Sequence, residues 1–256
     1  MISNVPKHAF LHDIVTLSVD VGGSGIKAAL LDADGKMISE RVRFETPYPC
    51  TPDVLLGEIG RIAEALPGFG RITVGFPGLV RGGRVYNIPS FSKRTLEGEV
   101  DPVLVKIWKE YDLEAALNKQ FEAPVRVAND ADVQGCAVIR GKGLEFVMTL
   151  GTGCGTAMFF DGHLLPHLEL GHAPFRKGNT FEEQIGNAAR REAGKERWIT
   201  RVAKAIDAFD SFMFFDHIYI GGGNARLLEG YDFGPKVTIV ENTAGILGGI
   251  AIWERD

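Results

Sequence analysis

A carboxylate set just past the end of a short buried strand, with an amide beside it, is suited to taking a proton from a bound hydroxyl. Asn129-Asp130-Ala131-Asp132 has that form and follows the run Val125–Ala128. Ala131–Arg140 reads as a helix stopped by Gly141, so an Asn or Asp ahead of it is first of all a cap. The two readings combine if one residue caps while its neighbour faces a substrate. Asp130 is the residue assigned to proton removal, as a base for a hydroxyl attacking phosphorus.

Two glycine-rich turns supply the matching chemistry for phosphate. Asp20-Val21-Gly22-Gly23-Ser24-Gly25-Ile26-Lys27 and Leu150-Gly151-Thr152-Gly153-Cys154-Gly155-Thr156 each place glycines between strand-like runs. Such turns expose successive backbone N–H groups, and glycine lets an anion approach them closely. Lys27 adds a point charge; Ser24, Thr152 and Thr156 add hydroxyl donors. Asp20 is the wrong sign for a phosphate ligand but suits Mg²⁺, held directly or through water. The chain has no GxxxxGK[ST] segment, and neither turn spells GxGxxG at the opening of a helix. That excludes a P-loop and a dinucleotide fingerprint. A tight hairpin with no ligand explains either turn alone; the pair together argues for phosphate.

Polyol recognition calls for carboxylates, amides and imidazoles, because vicinal hydroxyls both donate and accept hydrogen bonds. Leu168-Glu169-Leu170-Gly171-His172 offers an acid and an imidazole, and Glu182-Glu183 opens the next helical segment, where it also complements a helix dipole. His163, His167 and His172 do not make a convincing metal site, since Pro166 disrupts helical spacing and no cysteine joins them. Arg176, Lys177, Arg190, Arg191, Lys195, Arg197, Arg201 and Lys204 make a basic stretch tempered by Glu192 and Glu196. It reads as a solvated helix face, with tracking of an extended polyanion as the alternative.

The elements that must position these groups follow from β-branched runs and turn signals. Ile14–Val21, Ile26–Leu31 and Lys36–Phe44 read as strands, the last two joined by Asp34-Gly35. A helix near Asp53–Leu66 leads to the strand Arg71–Phe76, a brief pairing over Arg84–Ile88, and a helix over Asp101–Phe121. Phe146–Leu150 and Thr156–Phe160 flank the second glycine turn, followed by Asp161-Gly162. Thr180–Phe209 reads as mostly helical, His217–Ile220 and Val237–Val240 as strands, and Thr243–Trp253 as a closing helix whose glycines permit close packing. The segments SVDVGGSGIKAALLDADGKMI and VMTLGTGCGTAMFFDGHLLP share one plan: strand, glycine turn, strand, Asp-Gly, strand. That repetition implies a duplicated core rather than a short-period solenoid.

The 256 residues, 45% hydrophobic and 24% charged, have enough chain for one large core or two smaller ones. A net charge of -5 argues against non-specific nucleic-acid binding. Cys50, Cys136 and Cys154 have no CxxC spacing, which argues against a disulfide framework and a cysteine-rich zinc site. The first thirteen residues lack an apolar stretch of signal-peptide length, and no run approaches a membrane span. A cytoplasmic protein with neither nucleic-acid nor membrane partners is expected.

Taken in order, DVGGSGIK, GFPGLV, Asn129-Asp130-Ala131-Asp132, LGTGCGT, Glu169-Leu170-Gly171-His172, IGGGN and NTAGILGG resemble the motifs of the ROK sugar kinases (repressor, open reading frame, kinase). The resemblance covers nearly the whole chain and is strongest to the short polyphosphate/ATP glucokinases. It implies an α/β, two-domain actin-like ATPase (ribonuclease H-like) fold, with a duplicated mixed-sheet core and an interdomain cleft. The implied domains are 1–128, with a C-terminal helix 243–256 packing back onto it, and 129–242. It implies Asp130 as base and Asn129, Glu169, His172 and a later glutamate, taken as Glu183, as sugar ligands. By the same resemblance Asn87 contacts sugar and Gly221, Gly222, Gly223 and Asn224 lie near a nucleotide base.

The implied reaction moves a phosphoryl group from ATP, polyphosphate or both to the 6-hydroxyl of glucose or a related hexose, with Mg²⁺ as cofactor and a homodimer as the assembly. Most ROK proteins carry a cysteine-rich zinc motif after the Glu-x-Gly-His segment. None is present here, as in the polyphosphate glucokinases, so no zinc is expected. Thirteen residues before the first strand leave no room for a repressor's helix-turn-helix. The alternatives are a catalytically silent sugar sensor and a kinase for an N-acylated sugar such as N-acetylglucosamine or N-acetylmannosamine.

Overall fold

The computed structural model describes residues 14–240 and 244–253. The readings made for residues 1–13, and for the closing helix at 243 and 254–256, fall outside the described residues. The described chain forms two compact units, residues 14–129 with 246–253 and residues 130–240 with 244–245.

The first unit begins with the hairpin β1 (Thr16–Gly22) and β2 (Gly25–Leu31), followed by β3 (Val42–Phe44) and α1 (Pro52–Ala65). Thr51 caps α1 through its hydroxyl, Pro52 fits the first turn, and Leu55, Ile59 and Ile62 form its buried stripe. Next come β4 (Arg71–Phe76), β5 (Leu79–Arg81), β6 (Arg84–Asn87), α2 (Pro102–Trp108), β7 (Tyr111–Asp112), α3 (Leu113–Phe121) and β8 (Val125–Asn129). The sheet order is β3-β2-β1-β4-β8, antiparallel through β1 and parallel from β1 to β8. All six residues of β4 are buried, as a central strand covered on both faces requires.

Two expectations need correcting here. The third strand is three residues long rather than nine, because Ser39 Oγ accepts the Leu30 N–H (2.9 Å) and the Asp32 carboxylate folds 32–36 into a turn. The single helix over Asp101–Phe121 is two helices. Glu110 has φ +60° and gives its N–H to Val85 O (2.7 Å), β7 pairs with β6, and Asp112 caps α3 through Ala115 N.

The second unit starts directly with α4 (Asp130–Val138), then β9 (Leu144–Leu150), β10 (Cys154–Phe160), β11 (His163–Leu164), and the short pair β12 (Pro174–Arg176) and β13 (Asn179–Thr180). Three helices follow, α5 (Phe181–Ile185), α6 (Asn187–Ala193) and α7 (Lys195–Met213), in place of a mostly continuous one. They break at Gly186, which has extended backbone, and at Gly194, with φ +78°. The chain continues through β14 (His217–Gly221), β15 (Val237–Ile239) and α8 (Ala244–Ala251). This sheet runs β11-β10-β9-β14-β15, with the same antiparallel-then-parallel order as the first. The duplicated strand plan is therefore a duplicated topology.

Each unit has its own core. Phe76, Phe91 and Trp108 meet within 6 Å of one another in the first, and Phe181 stacks on Phe209 at 4.1 Å in the second. Residues 246–253 pack on the first sheet, where Ser18 Oγ donates to Ile246 O (2.7 Å) and Thr73 Oγ1 to Gly249 O (2.6 Å). No helix among the described residues is long and apolar enough to cross a membrane.

Candidate active site

In the first unit the carboxyl ends of the parallel strands gather the relevant groups, the end at which α/β sheets present ligands. The register pairs Asp20 with Gly75, Gly75 with Ala128 and Phe76 with Asn129. Asp20 with its glycine turn, the Pro77-Gly78 corner and Asn129 thus share one edge. Asn129 is buried and donates through Nδ2 to Gly78 O (2.9 Å). A Cβ on Gly78 would collide with Asn87 O, so glycine allows Asn87 and Asn129 to converge on this corner.

The first glycine turn is held from behind. Gly22 O accepts from Thr46 Oγ1 (2.6 Å), Gly23 O from Tyr48 OH (2.7 Å) and Ser24 O from Arg43 Nη2 (3.3 Å). Engaging these carbonyls removes the oxygens that would repel an anion. Asp20, Lys27 and Arg43 lie in register across β1, β2 and β3, and Lys27 Nζ is 3.1 Å from Asp20 Oδ2. Lys27 is thus placed beside the turn, as a point charge for phosphate requires, while also pairing with Asp20. The sequence reading missed Arg43, Thr46 and Tyr48, because only the third strand's register brings them under the turn.

In the second unit the same edge carries the second turn. Leu150 O accepts from Asn224 N (2.9 Å), Gly151 O from Asn224 Nδ2 (3.1 Å) and Thr152 O from Asn187 N (3.2 Å). Gly221 pairs with Thr149, and Gly222, at φ +86°, lies against the Leu150 backbone where a Cβ would clash. Gly221–Asn224 and Gly151–Gly153 are therefore brought together, with Thr152 and Gly223 exposed. Thr156 departs from expectation. It is buried, donates to Leu168 O (2.8 Å) and accepts Leu170 N–H (3.2 Å), so it holds the following loop and does not face a phosphate.

That loop carries Glu169 and His172. Gly171 rests against Cys154 O so closely that no Cβ fits, and Thr156 pins the backbone on both sides of Glu169. Asp130 opens α4, with Ala131 N–H donating to its Oδ1 (3.0 Å). A Cβ on Gly155 would come 3.3 Å from Ala131 Cβ, so the start of α4 packs directly on β10 behind the second turn.

The two adjacent glutamates take different places. Glu183 is exposed and completes a capping box with Thr180, accepting Thr180 N–H at 2.8 Å while Thr180 Oγ1 accepts Glu183 N–H at 3.2 Å. Glu182 instead accepts Cys154 N–H (3.2 Å), touches Gly153, and lies 3.8 Å from His172 Nε2. The sequence had a signal for this, since Thr180-Phe181-Glu182-Glu183 spells a capping box.

A buried link joins this loop to α4. His167 Nδ1 is 3.0 Å from Asp132 Oδ1, and its Nε2 makes an ion-pair contact with Glu169 Oε1 at 3.4 Å. Burial opposes the charged imidazole, yet the two carboxylates outweigh it and push the His167 pKa up to about 9. Burial likewise pushes Glu169 up, and His167 and then His172 bring its carboxyl below the usual range.

Of the basic stretch, Arg190 binds Asn187 Oδ1, Arg201 reaches Gln184 O, and Lys195 covers the Tyr231 ring. Among the described residues no cluster of three or more His, Cys, Asp or Glu has metal-holding placement. That does not fit an all-protein zinc cage. A single strand-end carboxylate such as Asp20 does fit Mg²⁺, which keeps several waters and shares its remaining positions with phosphates.

Two mixed sheets of identical order, each ending in a glycine turn at its carboxyl edge, define the actin-like ATPase fold. Within it, the chain belongs to the ROK family, whose profile matches residues 16–191. It is 34% identical over 250 residues to a polyphosphate glucokinase of Mycobacterium tuberculosis, covering 90% of this chain and 88% of that protein. The crystal structure of an inorganic polyphosphate/ATP-glucomannokinase from Arthrobacter sp. strain KM superposes with a TM-score of 0.78 at 29% identity, covering 94% of this chain and 98% of that one. A ROK family glucokinase from Streptomyces griseus, in complex with glucose and AMPPNP, has the same fold, with a TM-score of 0.70 at 17% identity over 93% of this chain and 98% of that one.

Proposed function

We propose that this protein is a hexokinase that moves a phosphoryl group from polyphosphate or ATP to the 6-hydroxyl of glucose or a related hexose. The observation that carries the reading is the placement of Asp130 at the start of α4, packed through Ala131 on Gly155 in the same unit as Glu169, His172 and Glu182. Similarity to a polyphosphate glucokinase, 34% identity with 90% of this chain covered, supports the substrate pair.

In this reading Glu169, His172 and Glu182 bind sugar hydroxyls, with Asn87 and Asn129 as further polar contacts. Asp130 accepts the proton of the attacking 6-hydroxyl. Gly22, Gly23, Ser24, Gly25 and Lys27 receive donor phosphates, as do Gly151, Thr152, Gly153 and Gly155. Gly221–Asn224 back the second turn, which suits a nucleotide's remaining atoms when ATP is the donor. Mg²⁺ held by Asp20, through water, would supply charge neutralisation on the phosphates. Positioning and charge do most of the work in such a reaction, which is why the turns are anchored so thoroughly. Three buried free cysteines suit a reducing cytoplasm.

The test is a matrix of purified protein against glucose, mannose, N-acetylglucosamine and N-acetylmannosamine, each with ATP and with long-chain polyphosphate. Glucose 6-phosphate should form, and Asp130→Asn should lower kcat by roughly 10²–10⁴-fold while glucose still binds. Hexose binding with no sugar phosphate from either donor would make the protein a sensor. Turnover confined to the N-acylated sugars would reassign the acceptor.

A further inference from the structure

We infer that His167 is a positioning residue that holds the Glu169 carboxylate at a fixed place relative to the helix bearing Asp130. The inference deepens the sugar-kinase reading and rests on it. His167 has a side chain 1% exposed and stands between Asp132, 4% exposed on α4, and Glu169, 25% exposed on the loop after β11. The backbone around Glu169 is already fixed to β10 by Thr156, so the carboxylate is the remaining freedom, and His167 removes it. Asp132 follows Asp130 by two residues in the same helical turn. The link therefore ties a sugar-binding acid to the element that carries the base.

A buried triad of two carboxylates and an imidazolium contributes little net stability, because desolvation offsets the attraction. Its worth lies in geometry. A carboxylate already fixed in place meets the sugar hydroxyls without having to be ordered on binding, so the link acts on glucose affinity more than on the transfer step. The charge state matters too. An imidazolium donates from both nitrogens, whereas a neutral ring has one N–H and serves a single carboxylate.

The groups around His167 are Asp132 on α4, Glu169 on its own loop and, near Glu169, Cys154 on β10 and His172. Glu182 on α5 faces Cys154 and His172 in turn. Burial pushes the Cys154 thiol far above its ordinary value, so it does not titrate alongside His167. A raised imidazole pKa means the doubly donating form is complete at neutral pH and is lost as pH rises through about 9.

The experiment measures glucose affinity by calorimetry and steady-state kinetics for wild type, His167→Gln and Glu169→Gln from pH 6.5 to 10. His167→Gln should raise glucose KM about tenfold, because the Glu169 carboxylate loses the cation that fixes it. Its donor KM should stay within about twofold and its kcat within about threefold on the same grounds. Wild-type affinity should weaken above pH 9, and His167→Gln should lack that limb. Unchanged glucose KM in His167→Gln beside a large rise in Glu169→Gln would overturn the inference and leave the sugar site standing. So would equal losses in every kinetic parameter. If Glu169→Gln also leaves glucose affinity intact, the sugar-site reading itself fails. Should His167→Gln not fold, Asp132→Asn tests the same link from α4: glucose KM should rise at least threefold, and no rise overturns the proposal.

Discussion

Glu182 and Glu183 have the same chemistry, and the helix they begin sends them to different tasks. The carboxylate of Glu183 returns to Thr180 N–H at 2.8 Å and satisfies a donor the helix cannot. Glu182, one residue earlier and so about 100° around the helix, meets Cys154 N–H and His172 instead. Glu183→Gln, and more so Glu183→Ala, should therefore cost about 0.5–1 kcal/mol of stability with sugar KM unchanged. Glu182→Gln should raise glucose KM several-fold with little change in urea midpoint. The opposite pattern would return the sugar contact to Glu183. The acid, imidazole and glycine motifs were legible as residue types because polyols and phosphates demand them. The His167 link was not, since it joins positions 35 apart in sequence that only the packing of α4 against β10 brings together.

Elements are joined by the same economy of donors. Glu145, at the start of β9, is buried and accepts N–H groups from Arg140 (2.7 Å), Gly141 (2.6 Å) and Lys142 (3.0 Å), with Tyr219 OH at 2.7 Å. It closes the joint between α4 and the strand that leads into the second glycine turn. Burial pushes its pKa up, but the amides and phenol outweigh burial and leave the carboxyl below its ordinary value. Burial and the facing carboxylate raise Tyr219 to about 12. A depressed folded pKa means the stabilisation is present above the unfolded carboxyl's pKa and is lost as pH falls through the folded one. Glu145→Gln should lower stability by roughly 1–3 kcal/mol at pH 7, and the gap to wild type should narrow in urea titrations as pH drops below 4. A gap that stays constant would remove the charge from the argument. Helix boundaries were the least legible feature, for a related reason. The break at Glu110 depends on Val85 O, and the break at Gly186 on packing against Thr152 O, both remote in sequence.

Across the whole molecule the repeated plan could be read early because its signals are local: two glycine turns and two Asp-Gly corners inside β-branched runs. What a local signal does not settle is how the last helix meets the first sheet, and here Gly249 decides. A Cβ at this position would fall on Ser18 Oγ, which donates to Ile246 O at 2.7 Å. By helix propensity alone Gly249→Ala should stabilise by up to about 1 kcal/mol. By contact it should destabilise, since either α8 lifts from the strands or Ser18 rotates and leaves a buried carbonyl short of its donor. The helix sits over fully buried Ser18 and Thr73, with the Trp253 ring covered by Arg71 and Arg126, so it has little room to move. Contact should win, with a net loss of about 1–3 kcal/mol. Ser18→Ala removes the colliding oxygen, so the double variant should lose less than the two single losses added together. Equilibrium unfolding of the four proteins checks this. A Gly249→Ala variant as stable as wild type, or strict additivity, would mean that α8 is not seated on β1 by this contact.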